Sequence, residues 1–417
     1  MLNKIRKNKL IISFLVILTG TAGAQAITLL LMPMITRLYG PEIFGLLGSF
    51  NSFLAILLPL AALSYPMAII LPSKDEHAFQ LAKSSITISF LSAIVISVII
   101  LAFIEMLNMV TTWGNDRYLY VLMIVALLLS VFLEVLSYLI LRFGYFKSKS
   151  KALILHSLIL NVTKLLVGYF YPTALALIGV TVIGIGLHSF LIYCFAKNIF
   201  KVEKPFFYLG ILKKYKDFPR FRALQTCVAN INQAAPIFLL TTLFGIEYAG
   251  YFVLCRTVML APVTLVAKSV NDALMPNLAE KIRNKENVAS LILKSTAMLA
   301  FIAFIPSIVF FFFGMELFQF IFGNEWSKAG EYASWFTLWM FFNFINRPSI
   351  SAVPALNLEK KLLLNSVANT FLAFGGFYFG YVFFENDVDS IILYSILGII
   401  PQLYILLFVY FKAKEVK

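Results

Sequence analysis

The sequence has 417 residues, of which 61% are hydrophobic and only 13% are charged, and its mean hydropathy is +0.89. A water-soluble globule of ordinary surface composition cannot bury so many apolar side chains, so that class is excluded. The formal net charge is +14. The basic residues are spread over many short polar segments and are not gathered on one soluble domain, which excludes a nucleic-acid-binding module.

Apolar segments long enough to cross a membrane recur along the chain. A spanning helix needs roughly 20 mainly apolar residues. Segments that meet this requirement, bounded by charged or turn-forming residues, are predicted in chain order at 11–36, 43–70, 84–106, 119–141, 153–171, 174–196, 223–244, 248–270, 292–313, 331–353, 363–384 and 390–411. The predicted fold class is therefore an all-α integral membrane protein of about twelve transmembrane helices.

The positions of Lys and Arg predict the orientation of these helices. The segments after odd-numbered helices contain only Arg37, Arg117 and Lys328, whereas the segments after even-numbered helices are rich in basic residues. Cationic loops are retained on the cytoplasmic side, so both termini are predicted to be cytoplasmic. The excess of basic residues also favours contact with anionic membrane lipids.

The basic stretch 197–222 is predicted to link two six-helix lobes, at 1–196 and 223–417. It contains several apolar residues that are suited to the cytoplasmic lipid surface, namely Phe206, Phe207, Tyr208, Ile211 and Leu212. The two lobes are related in sequence by a shift of 205 positions. This shift places Thr36, Leu38, Tyr39, Gly40, Glu42 and Gly45 on Thr241, Leu243, Phe244, Gly245, Glu247 and Gly250.

Each matched residue lies in or beside the outer turn between the first two helices of a lobe. Gly permits the reversal of the chain there, and Glu suits the start of the following helix. Because six is an even number, both lobes enter the membrane in the same direction, which predicts a pseudo-two-fold axis along the membrane normal. Transporters place their substrate at the interface of such repeats, so a central cavity between the lobes is predicted.

Polar side chains form one stripe on helix 1 and an equivalent stripe on helix 7. The stripes consist of Thr21, Gln25 and Thr28, and of Thr226, Asn230 and Gln233 at the shifted positions. Two interpretations are open. The stripes either form hydrogen bonds between packed helices, or they line opposite walls of a hydrated cavity.

Two basic residues are predicted to lie deep within the membrane, Lys164 on helix 5 and Arg256 on helix 8. A cation at that depth costs about 2.5 kcal/mol or more unless a partner or water compensates it. Glu134 on helix 4 is the acid of comparable depth, and it is a candidate partner for Lys164. Arg256 is the first candidate for holding an anionic ligand, and Lys164 is the second. At the shifted position of Arg256 the first lobe has Asn51.

Sequence motifs for several kinds of enzyme chemistry are absent. No Gly-x-x-x-x-Gly-Lys-Ser/Thr loop for ATP is present, and no cluster of ligands with metal-like spacing is found. The three His residues are scattered and provide no Ser/His/Asp set. The sequence therefore predicts a transporter with no metal and no cofactor, rather than an enzyme.

The segments Thr36-Arg-Leu-Tyr-Gly-Pro-Glu-Ile-Phe-Gly45 and Ile321-Phe-Gly-Asn-Glu-Trp326 resemble those of bacterial polysaccharide exporters. These exporters belong to the multidrug/oligosaccharidyl-lipid/polysaccharide superfamily, and the resemblance is greatest to its Wzx-type O-antigen flippases. It implies transfer of an undecaprenyl-pyrophosphate-linked oligosaccharide across a bacterial inner membrane by alternating access. The implied role is in O-antigen or lipopolysaccharide biosynthesis, with a polysaccharide polymerase and a chain-length regulator as partners.

Relatives that flip peptidoglycan precursor have arginines on helices 1, 2 and 8. Here only Arg256 matches, because helices 1 and 2 offer Gln25 and Asn51. This departure disfavours a role specific to that precursor. Two alternative functions are considered: a multidrug exporter coupled to H⁺ or Na⁺ through Glu134, and a membrane-embedded glycan polymerase or ligase. The short outer segments disfavour the enzyme, since such enzymes act on periplasmic sugars through larger outer loops.

Overall fold

The computed structural model describes residues 2–111, 113, 117–201, 209–283, 287–354, 356 and 358–415, and this part of the chain is almost entirely helical. Hydrocarbon offers no hydrogen-bond partners, so an apolar chain must satisfy its backbone groups within helices. Large apolar side chains are correspondingly exposed on the helix surfaces, including Leu30 at 76% and Phe320 at 83%. The protein is a multi-pass integral membrane protein.

Among the described residues, nine helices are long and apolar enough to cross a membrane. One of them, Val16–Ala62, covers two predicted spans, because Gly40 interrupts it with a φ of +67°. The predicted spans outside the nine are the helices Ala223–Leu243 and Ser327–Ile345, which contain more polar residues. Each predicted segment therefore coincides with helical residues.

The chain divides into two compact units, residues 1–250 and 251–417. The first unit contains α1 (Leu2–Ala62), α2 (Tyr65–Ala68), α3 (Asp75–Ala102), α4 (Ile104–Thr111), α5 (Arg117–Arg142), α6 (Phe146–Phe170), α7 (Ala174–Ala196), α8 (Leu209–Lys214), α9 (Ala223–Leu243) and the start of α10 (Ile246–Arg283). The second contains the rest of α10, α11 (Ala289–Phe322), α12 (Ser327–Ile345), α13 (Arg347–Ala352), α14 (Glu359–Phe384) and α15 (Asp387–Glu415). The predicted lobes at 1–196 and 223–417 rest on the sequence repeat, and they stay a prediction.

The long helix α1 organises the first unit. Its first part packs along α6, with Ser150 donating a hydrogen bond to the Val16 carbonyl and Ser157 donating one to the Ala24 carbonyl. These contacts advance in the same direction along both helices, so the first part of α1 and α6 run parallel. That direction agrees with their predicted places as helices 1 and 5. The second part of α1 packs against α9.

Two predicted spans are broken near their C-terminal ends. Leu63 and Ser64 have φ values of +51° and +50°, so the second span ends at Ala62 and is followed by the short helix α2. The tenth predicted span ends at Ile345, and α13 follows the buried Asn346. The Asn346 side-chain amide donates to the Gln402 side chain on α15 at 2.8 Å, which satisfies part of this buried group.

The predicted position of Ile211 and Leu212 on the lipid surface is wrong. Both residues are buried in the core of the first unit, with α2, α3, α5 and α7. The Tyr65 hydroxyl donates to the Leu212 carbonyl at 3.3 Å, which joins α8 to α2. Packing inside the unit removes more apolar surface from water than a position at the lipid interface would. Phe206, Phe207 and Tyr208 lie outside the described residues.

Candidate functional site

The helix 1 stripe lies where α1 meets α6. Thr28 Oγ1 is 3.1 Å from Ser157 Oγ and accepts a hydrogen bond from the Asn161 amide at 3.2 Å. Thr28 therefore belongs to a packed polar contact between two helices. Thr21 donates to the Ile17 carbonyl of its own helix, and both Thr21 and Gln25 are half-buried.

Sequence reasoning missed Ser157 and Asn161, the partners of Thr28 on α6. A signal for them was present, because Ser150, Ser157 and Asn161 recur at helical spacing and all three are buried. The stripe on α1 and this second stripe on α6 together provide both sides of the contact. At Thr28 the structure favours helix packing over a cavity wall.

The helix 7 stripe is more open. Gln233 is exposed, Thr226 and Asn230 are half-buried, and Thr226 donates to the Arg222 carbonyl of its own helical segment at 2.9 Å. The Asn230 amide donates to the Ala55 carbonyl on the second part of α1. Asn51 is exposed and lies one turn before Ala55 on that helix. Asn51 and Asn230 are thus carried by two neighbouring helices of the first unit.

Lys164 and Glu134 do not form the candidate ion pair. Among the described residues, no carboxylate lies within ion-pair distance of Lys164, which is half-buried on α6. The Tyr39 hydroxyl donates to the Lys164 backbone carbonyl at 2.9 Å, which ties α6 to the outer turn of α1. One carboxylate oxygen of Glu134, Oε2, is buried without a hydrogen-bond partner.

Glu134 instead belongs to a polar cluster at the start of α9. Tyr138 lies one turn after Glu134 on α5 and interacts electrostatically with both Glu134 and Arg222. Arg222 donates to the Gln225 side chain at 3.1 Å. The cluster brings an acid, a phenol and a guanidinium into one region of the first unit.

Arg256 lies on α10 in the second unit and is half-buried. Its guanidinium interacts electrostatically with Tyr394 on α15. The Tyr394 ring is 6.5 Å from the rings of both Phe252 and Phe336, measured between centroids. Sequence reasoning missed Tyr394, since a tyrosine in an apolar helix gives no signal of its own.

The two copies of the repeated motif form matching outer turns. Gly40 and Gly245 occupy equivalent positions and have φ values of +67° and +119°, which favour glycine. Thr36 and Thr241, also equivalent, are both buried. The repeat predicted from sequence therefore has a glycine of positive φ at the same position in both copies.

The two outer turns also pack against each other. A side chain on Gly45 would overlap the Ile246 carbonyl, and a side chain on Gly250 would overlap the Pro41 carbonyl. At the shift of 205, position 41 corresponds to 246 and position 45 to 250. The contact is therefore reciprocal, as a local two-fold relation between the copies requires.

The second motif of the sequence lies at the start of α12. Trp326 is fully buried, and the preceding Gly323 has a φ of +109°. Two residues later, Lys328 pairs with Asp387 at 3.1 Å, and the Tyr332 hydroxyl donates to the same carboxylate at 2.6 Å. The motif is thus held to the start of α15.

Comparison with solved structures identifies the fold. An inward-facing multidrug resistance MATE family transporter of the MOP superfamily has a TM-score of 0.70, with 16% identity over 96% of this chain and 95% of that one. The lipid II flippase MurJ, in an inward closed conformation, has a TM-score of 0.73, with 14% identity over 97% of this chain and 87% of that one. A MOP superfamily transporter from Pyrococcus furiosus has a TM-score of 0.67, with 16% identity over 97% and 96%. The fold is that of a MOP superfamily transporter.

The family follows from sequence. The family model described as polysaccharide biosynthesis protein matches residues 34–331, and the chain belongs to this family. No curated protein sequence matches the chain. The protein is thus a membrane protein of a polysaccharide biosynthesis family, with the fold seen in MOP superfamily transporters.

Proposed function

We propose that the protein is a flippase that carries an undecaprenyl-pyrophosphate-linked oligosaccharide from the cytoplasmic to the periplasmic leaflet of a bacterial inner membrane. O-antigen and similar polysaccharide repeat units are the proposed cargo, and a polymerase and a chain-length regulator are the proposed partners. The single observation that carries the proposal is the reciprocal contact of the duplicated turns, in a chain that belongs to a polysaccharide biosynthesis family.

The chemistry of the cargo explains why a protein is needed. Each sugar hydroxyl that leaves water without a new partner costs several kcal/mol, so an oligosaccharide does not cross hydrocarbon unaided. The polyprenyl tail has no such barrier. A flippase therefore needs polar walls for the sugar, a fixed cation for the pyrophosphate and an opening towards lipid.

The proposed architecture is two six-helix lobes around a central cavity, with both termini cytoplasmic. Arg256 holds the pyrophosphate and Lys164 assists it. Thr21, Gln25, Asn51, Thr226, Asn230 and Gln233 hydrate the glycan. Thr28 is retained in the proposal only as a support for α1, because its hydroxyl is engaged with α6.

Alternating access follows from the pseudo-two-fold relation. The paired outer turns keep the periplasmic side closed while cargo enters from the cytoplasm, and separation of the turns opens that side. The close approach of two backbones at Gly45 and Gly250 supports a contact that forms and breaks as a unit.

The proposal is tested by deleting the gene and locating the lipid-linked glycan. The expected result is accumulation of single lipid-linked units in the cytoplasmic leaflet, where a periplasmic glycosidase does not reach them. Accumulation in the periplasmic leaflet would instead identify a polymerase or ligase and overturn the flippase.

A multidrug exporter is the second candidate, and the buried carboxylate oxygen of Glu134 favours it. A buried acid in a membrane helix is typical of H⁺ or Na⁺ coupling. Replacement of Glu134 by Gln, followed by measurement of cationic-dye efflux, separates the candidates. Dye efflux that is lost with E134Q supports the exporter, whereas the absence of efflux in both proteins supports the flippase.

A further inference from the structure

A groove lies on the second unit between α14 and α15. It encloses about 330 Å³. The lining residues are Lys361, Leu364, Asn365, Ala368, Leu372, Ile400, Pro401 and Tyr404. A cavity of this volume is at the lower end of the range of ligand sites, so it suits one slender chain and not an oligosaccharide.

The packing of the helix pair explains why a groove forms there. Near the other end of the pair, Gly376 and Gly380 let α14 approach the backbone of α15 at Leu393 and Ser390. Towards the groove the small side chain of Ala368 leaves space, and Pro401 interrupts the hydrogen bonding of α15. The helices are thus closely packed at one end and leave a cleft at the other.

The polar groups of the groove lie at one end. Lys361 and Asn365 are in the first two turns of α14, whereas Leu372 lies about 16 Å further along the helix. The Lys361 ammonium lies over the Phe408 ring, 5.9 Å from its centroid, and is therefore positioned at α15. A cationic end followed by an apolar channel has the same polarity as a membrane lipid.

The surroundings indicate a lipid environment with anionic preference. Leu364, Ile400 and Tyr404 are among the exposed large side chains of this helix pair. Lys414 adds further positive charge at the end that carries Lys361, whereas Lys412 is paired with Glu415. Basic residues at the membrane surface attract anionic headgroups.

We propose that this groove binds one anionic phospholipid, with its phosphate at Lys361 and an acyl chain along Ala368 and Leu372. Positive charge at the groove end complements an anionic headgroup and gives no advantage to a zwitterionic one. The proposal does not depend on the identity of the cargo.

The proposal is tested with a tryptophan reporter, Tyr404→Trp, in the full-length protein in nanodiscs. Brominated phosphatidylglycerol and brominated phosphatidylcholine are compared at equal mole fraction, and the signal of the four native tryptophans is subtracted using the parent protein. We expect a preference of about five-fold for phosphatidylglycerol. Equal quenching by both lipids would overturn the proposal.

Matched variants distinguish binding in the groove from a general attraction between basic residues and anionic lipid. Lys361→Gln removes the preference, whereas Lys360→Gln on the same turn, outside the lining, keeps it. Ala368→Phe fills the groove and lowers quenching by both lipids, whereas Val367→Phe beside it does not. A preference that survives K361Q rules out the site, and displacement of phosphatidylglycerol by a trace of polyprenyl phosphate assigns the groove to the carrier lipid instead.

Discussion

At the scale of single residues, Arg256 is the side chain proposed to bind the pyrophosphate. Its guanidinium is half-buried and interacts with Tyr394. Among cationic side chains, a guanidinium offers the planar donors that fit a phosphate. The sequence indicated only that Arg256 lies far from the ends of its helix. The structure adds its neighbour Tyr394, which places the guanidinium between α10 and α15.

Replacement of Arg256 by Ala is expected to lower affinity for the lipid-linked cargo by roughly ten-fold to a hundred-fold, the range for loss of one hydrogen bond to a charged group. Arg256→Lys keeps the charge and is expected to restore part of the affinity. Binding to the purified protein in nanodiscs is the measurement, and Lys294→Ala, an exposed basic residue of the same unit, is the control. Unchanged affinity in R256A removes this residue from the site.

Thr28 is expected to act through stability and not through cargo. Thr28→Val removes one hydrogen bond of the buried Asn161 amide, which keeps its bond to the Ser157 carbonyl, so the expected cost is about 0.5–1.5 kcal/mol. Thr21→Val removes only a hydrogen bond to its own helix and is expected to have a much smaller effect. Thermal unfolding in detergent compares the two, and equal unfolding temperatures would show that the packed contact is unimportant.

At the scale of elements, the outer turns were the most predictable feature. The shift of 205 identified both copies, and the positive φ angles of Gly40 and Gly245 agree with the predicted role of glycine. Their mutual contact was not predictable, because a repeat in sequence does not say which surfaces meet. Likewise, Ile211 and Leu212 looked amphipathic in isolation and became core residues only through α2 and α3.

The reciprocal contact predicts equal effects of Gly45→Ala and Gly250→Ala. Either methyl group overlaps a backbone carbonyl that has no rotamer to relieve it, so the turns must separate. Labelling of Gln233→Cys by a membrane-impermeant maleimide, with Cys194 replaced by Ser, is expected to increase from the periplasmic side.

Gly179→Ala and Gly375→Ala are the controls for this experiment, since a side chain at either position meets open space. They are expected to leave labelling unchanged. If G45A and G250A label like the controls, or if only one of them differs, the paired turns do not act as a periplasmic closure.

The link between α12 and α15 predicts an energetic coupling between Lys328 and Asp387. The half-buried Lys328 ammonium lies 3.1 Å from the buried Asp387 carboxylate, which also accepts a hydrogen bond from Tyr332. A double-mutant cycle of Lys328→Met and Asp387→Asn is expected to give a coupling of about 1 kcal/mol. Glu316→Gln, at an exposed acid of the same unit, is the control. A coupling near zero would contradict the conclusion that this pair holds α15 to α12.

At the scale of the whole molecule, the all-helical membrane fold was predictable from hydropathy because lipid restricts the chain to helices. The side-chain contacts inside each unit were not predictable from the sequence. The partner of Thr28 lies on α6, the neighbour of Arg256 lies on α15, and Glu134 interacts with Tyr138 and not with Lys164. Such pairings depend on helix rotation and neighbour choice, which hydropathy and spacing leave open.

The most direct test of the central claim is transport by the purified protein. Proteoliposomes are loaded with a fluorescent undecaprenyl-pyrophosphate oligosaccharide in one leaflet, and its transfer is followed with an impermeant reagent that modifies the sugar. We predict transfer by the native protein, strong loss with Arg256→Ala and unchanged transfer with Lys294→Ala. Absence of transfer by the native protein, together with dye export that depends on Glu134, would contradict the proposal and establish a drug exporter.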